Sequence, residues 1–136
     1  MRILGLDYGT KRIGVAVSDE TRTIATPLEF IPAEPFAAVL ARLTQLIQER
    51  EIESILVGLP RNMDGSYGPA AEKVQNFING LKEAITVPIK TWDERLTTAQ
   101  ANRFLIAADM RRAKRRQKVD QTAAAILLQS YLDSAQ

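Results

Sequence analysis

The 136-residue sequence contains no cysteine and no histidine. Their absence excludes disulfides, zinc sites built from Cys and His, thiol nucleophiles and every triad that depends on an imidazole. Any metal chemistry must use oxygen ligands, which favour Mg²⁺ or Mn²⁺ in a site that also holds phosphates. Long apolar runs are missing too. No segment has the length of a membrane span, and the apolar run within MRILGLDYG is too short for a signal peptide. No membrane partner is expected, and a cytoplasmic location follows by default. Hydrophobic residues make up 46% and charged residues 25%, the balance of a globular protein. The length suits one domain, 1–136, and no linker, repeat or low-complexity segment divides it.

What is present is unevenly distributed. The stretch Arg111 to Lys118 (RRAKRRQK) holds six of the 18 basic residues and no acid. The remainder carries 12 basic against 16 acidic residues, so the net +2 divides into +6 here and −4 elsewhere. A solvated helical face usually mixes signs. A one-signed cluster of Arg111, Arg112, Lys114, Arg115, Arg116 and Lys118 points to a polyanion.

Leu4 to Asp19 (LGLDYGTKRIGVAVSD) reads as a β-hairpin, two short apolar runs joined by a loop containing Gly9. The first run ends in Asp7. Asp is depleted in strand interiors because an unpaired buried charge is expensive. Asp7 therefore reads either as a cation ligand or as a residue that opens the turn. A second turn is expected at Thr21–Thr23 and a third strand at Ala25–Ile31, placed at a sheet edge by Pro27. Phe36, Val39, Leu40, Leu43, Leu46 and Ile47 follow helical spacing behind Pro35.

Ser54–Gly58 reads as a buried parallel strand, followed by the turn-rich loop Leu59–Pro69. Val74, Phe77, Ile78, Leu81 and Ile85 mark a second helix despite Gly80. Val87–Trp92 is a fifth strand running into Asp93-Glu94-Arg95. Thr97 to Gln100 has capping-box form before a third helix, and a last helix is expected over roughly Asp120–Leu132.

The order β-β-β-α-β-α-β-α-α implies an α/β fold: a mixed five-stranded sheet, antiparallel hairpins then parallel strands, with helices on both faces. With the first strand central and beside the fourth, their carboxyl ends form a switch-point crevice. Asp7, the Leu59–Pro69 loop and Asp93-Glu94 all follow strands that point to it.

Asp7, Glu94 (or its neighbour Asp93) and Asp120 are candidate ligands for that crevice. Gathered carboxylates repel one another unless cations lie between them. Two oxygen-ligated metals about 4 Å apart can clamp both oxygens of a phosphodiester displacement, with no histidine required. Each residue also has a plainer reading. Asp120 could be the N-cap of its helix, Glu94 could pair with Arg95 or Arg103, Asp93 could be a turn residue, and Arg61 could be solvated or hold a phosphate. Lys11, Arg12 and Arg95 join the candidate phosphate contacts.

Four stretches, LGLDYGTKRIGVAVSD, VGLPRNMDGSYGPAA, TWDERLTTAQA and KVDQTAAAILLQSYLD, resemble the YqgF (RuvX) family of RNase H-like proteins. The resemblance runs in the right order over nearly the whole chain. It implies an RNase H-like fold and a metal-dependent nuclease of precursor 16S ribosomal RNA, with an earlier proposal of Holliday-junction resolution for the family. It also implies that Asp7, Glu94 and Asp120 match the acidic metal-binding positions. Expected partners are structured RNA (pre-rRNA) or branched DNA, with a homodimer as an option. Two further readings compete. An actin-like ATPase shares the Asp7-Tyr8-Gly9-Thr10 type of turn but needs a second lobe for which 136 residues leave little room. A non-catalytic binding module gains nothing from clustered carboxylates beside a polyanion.

Overall fold

β-Branched and leucine side chains dominate the strands, and their alternation decides how the sheet is covered. The computed structural model describes residues 1–60, 64, 66–93 and 122–135. Five strands form one sheet: β1 (Arg2–Tyr8), β2 (Arg12–Ser18), β3 (Ala25–Pro32), β4 (Ile52–Leu59) and β5 (Ile89–Asp93), in the order β3-β2-β1-β4-β5. β1 is central, antiparallel to β2 and parallel to β4, and β5 adds in parallel outside β4. The expected hairpins, crossovers and switch point are all present. Pro27 lies on the edge strand β3, where a missing N–H costs no ladder bond.

Helices α1 (Phe36–Arg50) and α2 (Pro69–Ala84) cover one face. There Leu4, Leu6, Val15, Ile55 and Val57 of the sheet meet Val39, Leu43 and Leu46 of α1 and Val74, Ile78 and Leu81 of α2. Gly80 interrupts the α2 pattern for a packing reason. A Cβ there would lie 2.9 Å from the Phe36 ring.

Helix α3 (Ala123–Ser134) covers the other face, packing Leu127, Leu128 and Leu132 on Ile3, Ala16 and Leu56. This face is built from small residues. A Cβ on Gly5 would stand 3.0 Å from Leu128 Cβ and 3.4 Å from the Ala124 carbonyl oxygen, so only glycine admits α3 at this distance. The start of α3 corrects one expectation. The helix begins at Ala123, and its N-cap is Thr122, whose hydroxyl accepts the Ala125 N–H at 3.2 Å. The capping role considered for Asp120 therefore belongs to Thr122. β5 begins at Ile89, two residues later than expected, after Pro88.

The β2–β3 turn is organised by Asp19. Its carboxylate accepts the N–H groups of Thr23 (2.8 Å) and Ile24 (3.1 Å) and the Thr21 hydroxyl (2.7 Å). These bonds, led by the one from Thr23, hold its pKa down at about 2. They let Arg22 take the left-handed conformation (φ 57°) inside the turn. Arg42 of α1 grips Glu29 of β3 with two guanidinium nitrogens, at 2.9 and 2.5 Å. No helix among the described residues is long and apolar enough to cross a membrane. The helix expected behind Thr97 lies outside the described residues.

Candidate active site at the carboxyl edge of the sheet

Alternation along β1 sends Leu4 and Leu6 to the α1/α2 face and Ile3 to the α3 face. Asp7 follows Ile3 and Gly5 onto the α3 face, at the carboxyl end of the strand. There it stands opposite Gly14 of β2, and Gly14 in turn stands opposite Phe30 of β3. A Cβ on Gly14 would lie 3.7 Å from Asp7 Cβ and 3.5 Å from both Ala124 Cβ and the Phe30 ring. Gly14 is buried, and the side chains of Asp7, Phe30 and Ala124 close around it.

The hairpin loop closes one side. Gly9 N–H donates to the Arg12 carbonyl at 3.0 Å, and a Cβ on Gly9 would come within 2.6 Å of that oxygen. No other residue fits this turn without moving the backbone. Lys11 and Arg12 are thereby presented to solvent at the rim. The Lys11 carbonyl accepts the Ala33 N–H at 3.0 Å, which ties the loop to the end of β3. The result is a cleft of about 510 Å³ lined by Asp7, Thr10, Lys11, Arg12, Phe30 and Thr122, among others.

Asp7 is half-buried, and among the described residues its carboxylate meets no hydrogen-bond or ion-pair partner. Burial pushes its pKa above the ordinary carboxylate value. A half-buried anion without a compensating partner is costly, and a cation bound against it removes that cost. With neither His nor Cys in the chain, the donor set is all oxygen, and Asp7 fits a hard divalent ion.

The other expected residues divide into two groups. Lys11 and Arg12 join Asp7 in the cleft. Glu94, Asp120, Arg61, Arg95, Arg111, Arg112, Lys114, Arg115, Arg116 and Lys118 lie outside the described residues. Among the described residues no three acidic side chains gather into a metal-binding group. Asp93 is described and ends β5 opposite Leu59. Ile89 packs with the α1/α2 cluster and Trp92 with α3, where its indole N–H donates to Ser130 at 3.2 Å. Alternation therefore assigns Asp93 to the face opposite Asp7.

Sequence reasoning missed Phe30, Gly14 and Thr122. Thr122 carried a usable signal, since a Thr immediately before an Ala/Leu run is a standard N-cap. Phe30 carried none, because an aromatic in an apolar strand reads as core.

The chain matches the RuvX family, described as "Holliday junction resolvase", over residues 1–134. The chain belongs to the RuvX family. Its relatives include a protein of Desulforamulus reducens, 52% identical over 134 residues that cover 98% of each chain. Another is from Thermoanaerobacter pseudethanolicus, 51% identical over 135 residues, covering 98% of this chain and 97% of the relative. Both bear the name "Putative pre-16S rRNA nuclease". Among solved structures, Thermus thermophilus RuvC in complex with a Holliday junction substrate superposes with a TM-score of 0.63 at 15% identity, covering 99% of this chain and 94% of that one. The fowlpox virus Holliday junction resolvase gives 0.53 at 16% identity, covering 98% and 99%. At such identities the likeness establishes the fold, which is RNase H-like.

Proposed function

We propose that this RuvX-family protein is a divalent-metal-dependent endonuclease of structured nucleic acid that processes the 5′ end of pre-16S ribosomal RNA in the cytoplasm. The observation that carries the reading is Asp7: a half-buried carboxylate without a partner among the described residues, at the switch point between β1 and β4. Open α/β sheets bind their ligands at such points.

Asp7 would hold the ion, with Glu94 and Asp120 completing the oxygen set. Glu94 is preferred to Asp93 because Asp93 falls on the face opposite Asp7. When bound, Mg²⁺ or Mn²⁺ supplies the Lewis acidity and the nucleophilic water for phosphodiester displacement. Lys11 and Arg12 at the rim attract and orient phosphates. The run Arg111–Lys118, with Arg61 and Arg95, would supply the further positive charge that a polymer needs beyond the reacting bond. Recognition then rests on backbone geometry more than on base sequence.

A second reading, resolution of four-way DNA junctions, uses the same chemistry. The family's description and the RuvC-like fold favour it. Purified protein offered a precursor rRNA fragment and a four-way DNA junction, each with Mg²⁺ or Mn²⁺, separates the two. Cleavage of the RNA with the junction left intact supports the first reading, and the reverse supports the second. Failure to cut either one refutes both.

A further inference from the structure

Phe30 is an uncommon residue to leave on a sheet edge, with 48% of its surface exposed. Its ring is not simply abandoned to water. The Arg12 guanidinium carbon lies 4.1 Å from the ring centroid, so cation and ring are stacked. Phe30 stands in the same cross-strand row as Asp7, with only Gly14 between them in the sheet, and Arg12 lies two residues from Gly14 along β2, opposite Pro32. Two strand spacings separate Phe30 from Asp7, about 10 Å, and the buried strand position between them is a glycine, with the Ala124 methyl of α3 against it. One cleft therefore holds, side by side, a carboxylate without a partner among the described residues, two rim cations and an exposed aromatic surface.

Each part suits a different piece of a nucleotide. Aromatic rings and arginine planes receive unpaired bases by stacking, whereas cations receive phosphates. A fully paired helix offers no free base face to such a ring. We infer that Phe30, backed by Arg12, is a stacking platform for one unpaired nucleobase, and that it makes the cleft select substrate with a bulged, looped or frayed nucleotide next to the scissile phosphate. This rests on the nuclease reading and adds a specificity determinant to it. Phe30 and Arg12 are positioning residues here, since the reacting atoms lie at Asp7.

The test uses the Asp7→Asn protein with Mg²⁺, so that the probe stays intact, and a short duplex carrying one bulged 2-aminopurine. An RNA and a DNA version distinguish the source of the base, and the same duplexes fully paired serve as controls. Binding should quench 2-aminopurine through stacking. Adding Phe30→Leu should weaken binding of the bulged probe by about 5- to 150-fold, the range expected for one base–aromatic stack. It should also abolish the quench and leave affinity for the paired duplex unchanged. Phe30→Trp should keep both affinity and quench. Equal loss for bulged and paired probes, or an unchanged quench in a folded Phe30→Leu protein, overturns the platform while the nuclease assignment stands. Wild-type protein that neither binds nor cuts any of these probes with Mg²⁺ or Mn²⁺ overturns the nuclease assignment, and the platform with it.

Discussion

Replacing Gly5 by Ala should destabilise the protein, whereas the same change at Gly14 should not. Both glycines lie on the α3 face, and both changes add one methyl group. At Gly5 the new carbon would stand 3.0 Å from Leu128 Cβ, well inside the roughly 3.5–4.0 Å optimum for carbon pairs. A Cβ cannot rotate away, so α3 must retreat from the sheet. Overpacking of this kind costs about 1–3 kcal/mol. The loss of chain freedom in the unfolded state returns about 0.4–1 kcal/mol, leaving a net loss of up to about 2.6 kcal/mol. At about 4 °C per kcal/mol for a chain of this size, Tm should fall by up to about 10 °C. At Gly14 the nearest neighbours are 3.5 Å away, an ordinary van der Waals distance, and the unfolded-state gain remains. Gly14→Ala should then melt at or slightly above the wild-type temperature. Thermal melts and urea titrations with unchanged m-values measure both. A Gly5→Ala protein as stable as Gly14→Ala would refute the claim that close approach of α3 shapes this face.

Three further outcomes follow from individual side chains. Asp7→Asn should raise Tm in metal-free buffer at pH 7, because burial raises the Asp7 pKa and the folded state pays to keep it charged; the advantage should shrink as pH falls through that raised value towards 3.8, and Mg²⁺ should stabilise the wild type alone. Asp19 has the opposite sign: with a folded pKa of about 2, its contribution is complete above the unfolded value near 4 and is lost as pH falls towards 2, so Asp19→Ala should lower Tm at pH 7 and differ little from wild type near pH 2. Changing Arg115 and Arg116 together to Ala should flatten the log–log salt dependence of nucleic-acid binding by about 0.7–0.9 for each phosphate no longer neutralised, for all sequences alike; an unchanged slope would show that these arginines do not touch the backbone.

The sheet was legible because its signals are local and agree. Apolar runs ending in turn residues set the strands, Pro27 marked the edge, and the crossover rule placed β1 beside β4. Asp7 was legible for the same reason, as a charge where strand propensity disfavours one. The start of α3 was less so, since Asp120 and Thr122 both belong to the capping residue types and only geometry chooses between them. Faces were harder still. An isolated strand does not say which of its two faces meets which helix, so nothing in the sequence singles out Phe30 or Gly14. Register with Asp7 gives both their meaning. The sequence favoured Glu94 and kept Asp93 as the alternative; the face that Asp93 occupies emerges only from the packing of Ile89 and Trp92 on β5.

The central claim is that Asp7 anchors a metal-dependent nucleolytic site. Its most direct test is cleavage of a precursor rRNA fragment by wild-type and Asp7→Asn proteins in Mg²⁺ or Mn²⁺, with circular dichroism confirming that both are folded. Wild type should cut the RNA, chelation should stop it, and Asp7→Asn should lose at least about a thousandfold in rate, as expected when several kcal/mol of transition-state stabilisation is removed. An Asp7→Asn protein that cuts at the wild-type rate, or wild-type cleavage that survives removal of all divalent ions, would contradict it.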